Sequence, residues 1–137
     1  MKKLFYFVLC VTAAAVLLSG CAGNKLSDDF DKDEVVEEAS EMVEVINTMD
    51  YEKIVGEMRE DLRDQITSEQ LKEAWGEKLS GLGKFSKITS EGVIGDKSKE
   101  TKEDYAVAVL ACEYENGTAT FTLVYDTELE LVGLYMK

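Results

Sequence analysis

The sequence predicts an α+β domain in which about three N-terminal helices pack on a curved, about four-stranded antiparallel sheet. Three observations carry this. Before residue 83 the apolar residues recur at spacings of three and four, the period of a helix with one buried face. After residue 83 they fall into short β-branched and aromatic runs bounded by Gly, Asn, Asp and Ser. Asn116-Gly117 stands between two of those runs, where it signals a two-residue hairpin loop. Helices first and strands afterwards is an α+β order, unlike the alternation that builds a parallel sheet.

The first helix follows the acidic run 28–34 (DDFDKDE). Val35, Ala39, Met42, Ile46 and Met49 mark its buried face, with Val36 and Val43 flanking. Carboxylates ahead of a helix oppose the positive end of its macrodipole. Asp50 ends this helix and caps a second, whose face is Tyr51, Ile54, Val55, Met58 and Leu62, with Ile66 as its extension. Thr67 and Gln70 fit a capping box. A third helix follows with Leu71, Trp75, Leu79 and Leu82 inward, ended by Gly81 and Gly83.

The first strand covers Phe85 to Ile94, with a kink expected at Gly92, and a charged loop covers 95–104. Tyr105–Glu115 and Thr118–Asp126 are the hairpin strands. A type I′ turn at Asn116-Gly117 sets Glu115 opposite Thr118, Tyr114 opposite Ala119, Cys112 opposite Phe121 and Leu110 opposite Leu123. The last three pairs share the core face. The other face carries Glu113 with Thr120, Ala111 with Thr122 and Val109 with Val124. After a turn at Asp126-Thr127-Glu128, Leu129–Met136 forms the fourth strand.

The N-terminus carries an address. Lys2 and Lys3 precede an uncharged run of 15 residues, Leu4 to Leu18, which is shorter than the roughly 20 residues a membrane-spanning helix needs. Leu18-Ser19-Gly20-Cys21 closes the run with small residues and a cysteine. The order resembles a bacterial lipoprotein signal peptide ending in a lipobox, with cleavage between Gly20 and Cys21. Cys21 then becomes the lipidated first residue. The expected layout is a signal over 1–20, lipidated Cys21 and a tether over 21–32, and one domain over 33–137. Two acyl chains on Cys21 suffice for stable attachment. The expected location is the extracytoplasmic face of the cell membrane. Cys112 alone remains in the mature chain, so no internal disulfide forms, and it is expected as a buried apolar residue.

Charge and composition exclude several function classes. The chain has 15 basic and 28 acidic residues and no histidine. The acidic surface repels phosphate backbones and anionic headgroups, which argues against nucleic acid and direct lipid-surface binding. The favoured reading is that the charge keeps an exported domain soluble, with cations, cationic peptides or a basic protein patch as the better electrostatic partners. Without histidine there is no Ser-His-Asp or Cys-His catalysis and no His-ligated zinc. The glycines at 76, 81 and 83 form no phosphate cradle, so no cofactor is expected.

Further along, Asp50-Tyr51-Glu52-Lys53-Ile54, Leu71-Lys72-Glu73-Ala74-Trp75, Gly83-Lys84-Phe85 and the closing Val132-Gly133-Leu134 resemble a bacterial domain of unknown function. That domain occurs in Gram-positive lipoproteins and ahead of α/β-hydrolase domains. The resemblance spans about residues 33–136. It implies a nuclear transport factor 2-like, cystatin-like cone and an envelope location, and it brings no catalytic residue.

Other motifs resolve to structure. Asp29-x-Asp31-x-Asp33 opens like an EF-hand, but Glu34 and Ser40 stand where Gly and Glu are needed, so no metal site is expected. Glu57, Glu60, Asp61 and Asp64 alternate with Arg59 and Arg63 at the spacing of helix-surface ion pairs. Trp75, Phe85, Tyr105, Tyr114, Phe121 and Tyr125 are the candidates for a core or for a pocket lining, with Glu113 and Asp126 as polar groups beside them. The expected role is a non-enzymatic binding module for a basic peptide, a protein or a small molecule. The alternatives are an enzyme using carboxylate and tyrosine groups in a cone pocket, and a module that assembles sheet to sheet as a homodimer.

Overall fold

A computed structural model describes residues 25–137, so Cys21 and the whole signal segment lie outside the described residues. The described residues form α1 (Lys32–Asn47), α2 (Tyr51–Gly56), α3 (Glu60–Arg63) and α4 (Ser68–Leu82), then β1 (Phe85–Lys97), β2 (Asp104–Tyr114), β3 (Gly117–Tyr125) and β4 (Leu131–Met136). The strands make one antiparallel sheet in the order β1-β2-β3-β4. This is the expected α+β class, and the arrangement fits a cone of the nuclear transport factor 2 type.

The helices begin where the capping chemistry places them. Asp31 accepts from the amides of Asp33 and Glu34, so the acidic run is a helix cap. Asp50 accepts from the Lys53 amide at 3.2 Å. Thr67 and Gln70 form both halves of a capping box. Burial follows the read faces: Val35, Ala39, Met42, Val43 and Ile46 on α1, and Leu71, Trp75, Leu79 and Leu82 on α4. Gly81 lies within α4, and Gly83, at φ 75°, caps it. Met49 leaves the expected face: at φ 55° it turns the chain and is 41% exposed.

The second helix is not continuous. It breaks between Gly56 and Glu60, where Met58 bridges to Leu131 and the Arg59 amide donates to the Leu131 carbonyl at 2.7 Å. Pairing with the sheet outcompetes helical continuation there. The face itself survives, with Tyr51, Ile54, Met58 and Ile66 buried.

The sheet departs from expectation in two places. First, β1 runs on through Gly95 to Lys97, and its register shifts fall between Phe85 and Lys87 and between Ile88 and Ser90, with none at Gly92. Second, the hairpin register is shifted by two residues: Tyr114 faces Gly117, Cys112 faces Ala119, Leu110 faces Phe121 and Ala108 faces Leu123. The turn residues are Glu115 and Asn116. Their amides donate to the Lys84 and Leu82 carbonyls at 2.8 and 2.9 Å, and the Asn116 side chain donates to the Gly81 carbonyl at 3.2 Å. These bonds to the α4–β1 connection replace the type I′ geometry, and positive φ is absent from the turn. A shift of two keeps every side chain on its face. Tyr114, Cys112, Leu110, Ala119, Phe121 and Leu123 are accordingly all buried. β4 begins at Leu131, two residues later than read.

The core reaches into the segment read as tether. Phe30 is buried and Leu26 packs against the core. A side chain at Gly95 would overlap the Lys25 carbonyl oxygen and sit 2.9 Å from the Leu26 Cα, so glycine is what lets this segment lie against β1.

Candidate functional site

Two arrangements meet at one end of the sheet. The first is a latch around Arg59. Its Nε and Nη2 hold Asp61 bidentately at 2.8 and 2.7 Å. Its Nη1 donates to Glu103 at 2.9 Å and to Asp126 at 3.0 Å. The Asp61 pair is the local ion pair that the spacing implies; Glu103 and Asp126 arrive from the β1–β2 and β3–β4 loops. Asp126 is buried, and its other oxygen accepts from the Glu128 and Glu130 amides, both at 2.9 Å, which folds the β3–β4 loop. Arg59 holds the carboxyls of Asp61 and Glu103 below the usual carboxylate range, chiefly through its hydrogen bonds.

Carboxylate oxygens of Asp126, Glu128 and Glu130 lie within 4.8 Å of one another. Asp126, however, already accepts two amides and a guanidinium, so its lone pairs serve the loop. This set is a loop-closing device.

The second arrangement is a pocket of about 170 Å³ beside the latch, lined by Glu38, Glu41, Met42 and Val45 of α1, Glu57, Tyr125, Leu129 and Leu131. The latch shapes it. Glu57 and Met58 precede Arg59, Leu131 receives the Arg59 amide, and Leu129, at φ 62°, closes the loop that Asp126 ties. Met42, Val45, Leu129 and Leu131 give apolar walls, while Glu41 and Glu57 are exposed at the rim. Glu38 is half-buried. Burial first, then the neighbouring Glu41, Glu37, Glu57 and Glu34, push its carboxyl up from the ordinary value.

Tyr125 is 3% exposed, and where it lines the pocket its hydroxyl makes no hydrogen bond to another described residue. Burial, followed by Glu38, Glu41 and Glu57, raises its ionisation above the ordinary tyrosine range, so the phenol stays protonated. The pocket therefore offers three carboxylates and a neutral hydroxyl over apolar walls, with no cationic side chain in its lining. It suits a cation with an apolar stem.

Of the six aromatic candidates, Tyr125 lines this pocket. Trp75 and Phe121 instead pack on each other in the core at 6.1 Å between ring centroids. Phe85 stacks edge-on against Tyr114 at 5.5 Å, and the Tyr114 hydroxyl donates to Asn47 at 2.6 Å. Tyr105 donates to Glu103 behind the latch. Asp126 supports the pocket loop without lining the pocket, and Glu113 pairs loosely with Lys87 at 3.9 Å. Cys112 is buried as expected, and burial pushes its thiol up to about 11, so it stays a neutral thiol.

Sequence reading missed Glu38, Glu41 and Glu57 as a group. On the helix they read as solvated positions, and no local signal says that Tyr125 lies under them.

A family model described as "Protein of unknown function (DUF3887)" matches residues 39–134. No curated protein matches the chain. A protein from Ruminococcus gnavus ATCC 29149, solved by NMR, is similar to it with a TM-score of 0.73 and 26% sequence identity, covering 82% of this chain and 96% of that one.

Proposed function

The chain belongs to the DUF3887 family, whose function is unknown, and from that premise we propose that it is a non-enzymatic binding module for basic partners, anchored by lipid at the extracytoplasmic face of the membrane. The acidic pocket lined by Tyr125 is the observation that carries the binding half of this reading. Net charge supports it: the domain left after residue 20 has a formal charge of −15, which draws basic partners and raises their encounter rate.

The anchoring half rests on the N-terminal order of Lys2-Lys3, the apolar run and Leu18-Ser19-Gly20-Cys21. Cys21→Ala tests it. In a Gram-positive host fed a labelled fatty acid, the wild type takes up label and sediments with membranes. The variant loses both. A variant that stays membrane-bound through an intact N-terminus would instead establish an uncleaved anchor.

The raised Glu38 beside Tyr125 is the one observation that favours an enzyme, because acid–base sites tune carboxylates in this way. Against it, the pocket lining has no cationic side chain to stabilise developing negative charge, and its acids repel an anionic transition state. Binding of a cation uses every polar group present.

A further inference from the structure

We propose that the pocket between α1, the α2–α3 junction and the β3–β4 loop binds a primary alkylammonium group, such as the end of a lysine side chain. The inference rests on the reading of the domain as a module for basic partners and assigns that reading to one place. Four features select this chemistry. The volume of about 170 Å³ falls below the roughly 300 Å³ at which pockets for drug-sized ligands begin, so it fits a short chain. Met42, Val45, Leu129 and Leu131 form walls for methylenes. The carboxylates of Glu38, Glu41 and Glu57 accept hydrogen bonds and donate none, so the occupant supplies the N–H groups.

The fourth feature is Tyr125. Its side chain is otherwise buried, and where it lines the pocket its hydroxyl makes no hydrogen bond to another described residue, so an occupant can bond it. An ammonium has three donors in a compact head. It can donate to the phenol oxygen and to two carboxylates at once, while the phenol O–H donates to a third. A hydrated divalent metal would use the carboxylates and leave the apolar walls and the phenol unused.

The test uses the full-length protein purified from membranes in neutral detergent, with tyrosine side chains labelled for NMR. Butylammonium is the free-amine probe, and a decapeptide with one central lysine is the peptide-borne probe. Expected are saturable shifts centred on Tyr125 with both. Tighter binding of the peptide assigns the site to a protein partner, and tighter binding of butylammonium to a free amine; either supports the pocket. Tyr125→Phe keeps the ring and removes only an unpartnered hydroxyl. It should weaken binding about five- to tenfold, and the double variant Glu38→Gln/Glu57→Gln by more than tenfold. Butyltrimethylammonium, which has no N–H, should bind more weakly than butylammonium.

The proposal falls if both variants bind butylammonium like the wild type, if the trimethyl probe binds equally well, or if calcium ions displace it from Tyr125. Decalysine separates this failure from a failure of the broader reading. Decalysine binding that the variants leave unchanged moves the basic-partner site elsewhere. No decalysine binding by the wild type removes both.

Discussion

Arg59 shows how much one residue can organise when its charge is shared between solvent and core. Its guanidinium has a side-chain exposure of 19%; Asp61 is 59% exposed, whereas Asp126 is 8% exposed. The partners therefore differ in worth. Exposed pairs contribute little because water and salt screen them, but Asp126 would keep a buried carboxylate without its cation. Arg59→Met should destabilise the domain by about 2–3 kcal/mol, most of it from stranding Asp126. Asp61→Ala should cost less than about 1 kcal/mol. Denaturant midpoints measure both, and equal losses would show that burial does not set the ranking. The pH dependence carries a sign. Asp61 and Glu103 are held below their ordinary values of 3.8 and 4.5, so their contribution is present above those values and is lost as pH falls through the lower folded ones. The gap between wild type and Arg59→Met should therefore narrow below about pH 4.

At the scale of elements, the C-terminal end of α4 carries Gly81 within the helix and Gly83 as its cap, and their substitution should act in opposite directions. Gly81 is helical, and an added Cβ would meet nothing within 4 Å, so Gly81→Ala should stabilise by about 0.5–1 kcal/mol through backbone entropy and helix propensity. Gly83 sits at φ 75°, and a Cβ there would lie 3.0 Å from the Asn116 Nδ2 and 3.2 Å from the Glu115 Cβ. Gly83→Ala should cost about 1–2 kcal/mol. Chemical denaturation of the two variants checks both signs. This contrast also marks how far the sequence is legible. Capping residues, face periodicity and the core side of each strand obey local rules, so Asp50, the Thr67–Gln70 box and the buried Cys112–Phe121 face could be read directly. Where a distant backbone competes, local rules lose. Asn116-Gly117 gives up its type I′ turn to the Leu82 and Lys84 carbonyls, and the helix through Met58 gives way to Leu131. The pocket belongs to this second kind. Glu38, Glu57 and Tyr125 come from α1, the α2–α3 junction and β3, and the packing of α1 on the sheet together with the latch through Arg59, Glu103 and Asp126 brings their segments together.

Across the whole molecule, the latch, the pocket and the entry of the N-terminal segment share one end of the sheet. Gly95 pairs with Ala106, Ala106 with Tyr125 and Tyr125 with Leu131, so these four residues form one row across the strands. At about 4.8 Å between strands, the point where Lys25 crosses Gly95 lies about 10 Å from Tyr125. On the proposed anchor at Cys21, residues 22–24 alone separate the lipid from Lys25. An extended chain spans at most about 3.5 Å per residue, which keeps this end of the domain within about 14 Å of the headgroups. A cation bound at Tyr125 would therefore be presented close to the membrane surface. Gly95 sets this geometry, because the close approach of the Lys25–Leu26 backbone tolerates no Cβ. Gly95→Ala should displace the segment at a cost of about 1–3 kcal/mol, since the obstruction is backbone and cannot rotate away. Trypsin reads the result directly at the Lys25–Leu26 bond. In the wild type the packed segment should resist cleavage there under native conditions. In Gly95→Ala, cutting after Lys25 should be faster, while α4 and β2 keep their hydrogen-exchange protection. Equal cleavage of the two proteins would mean that the segment's hold on β1 is too weak to fix the distance between pocket and membrane.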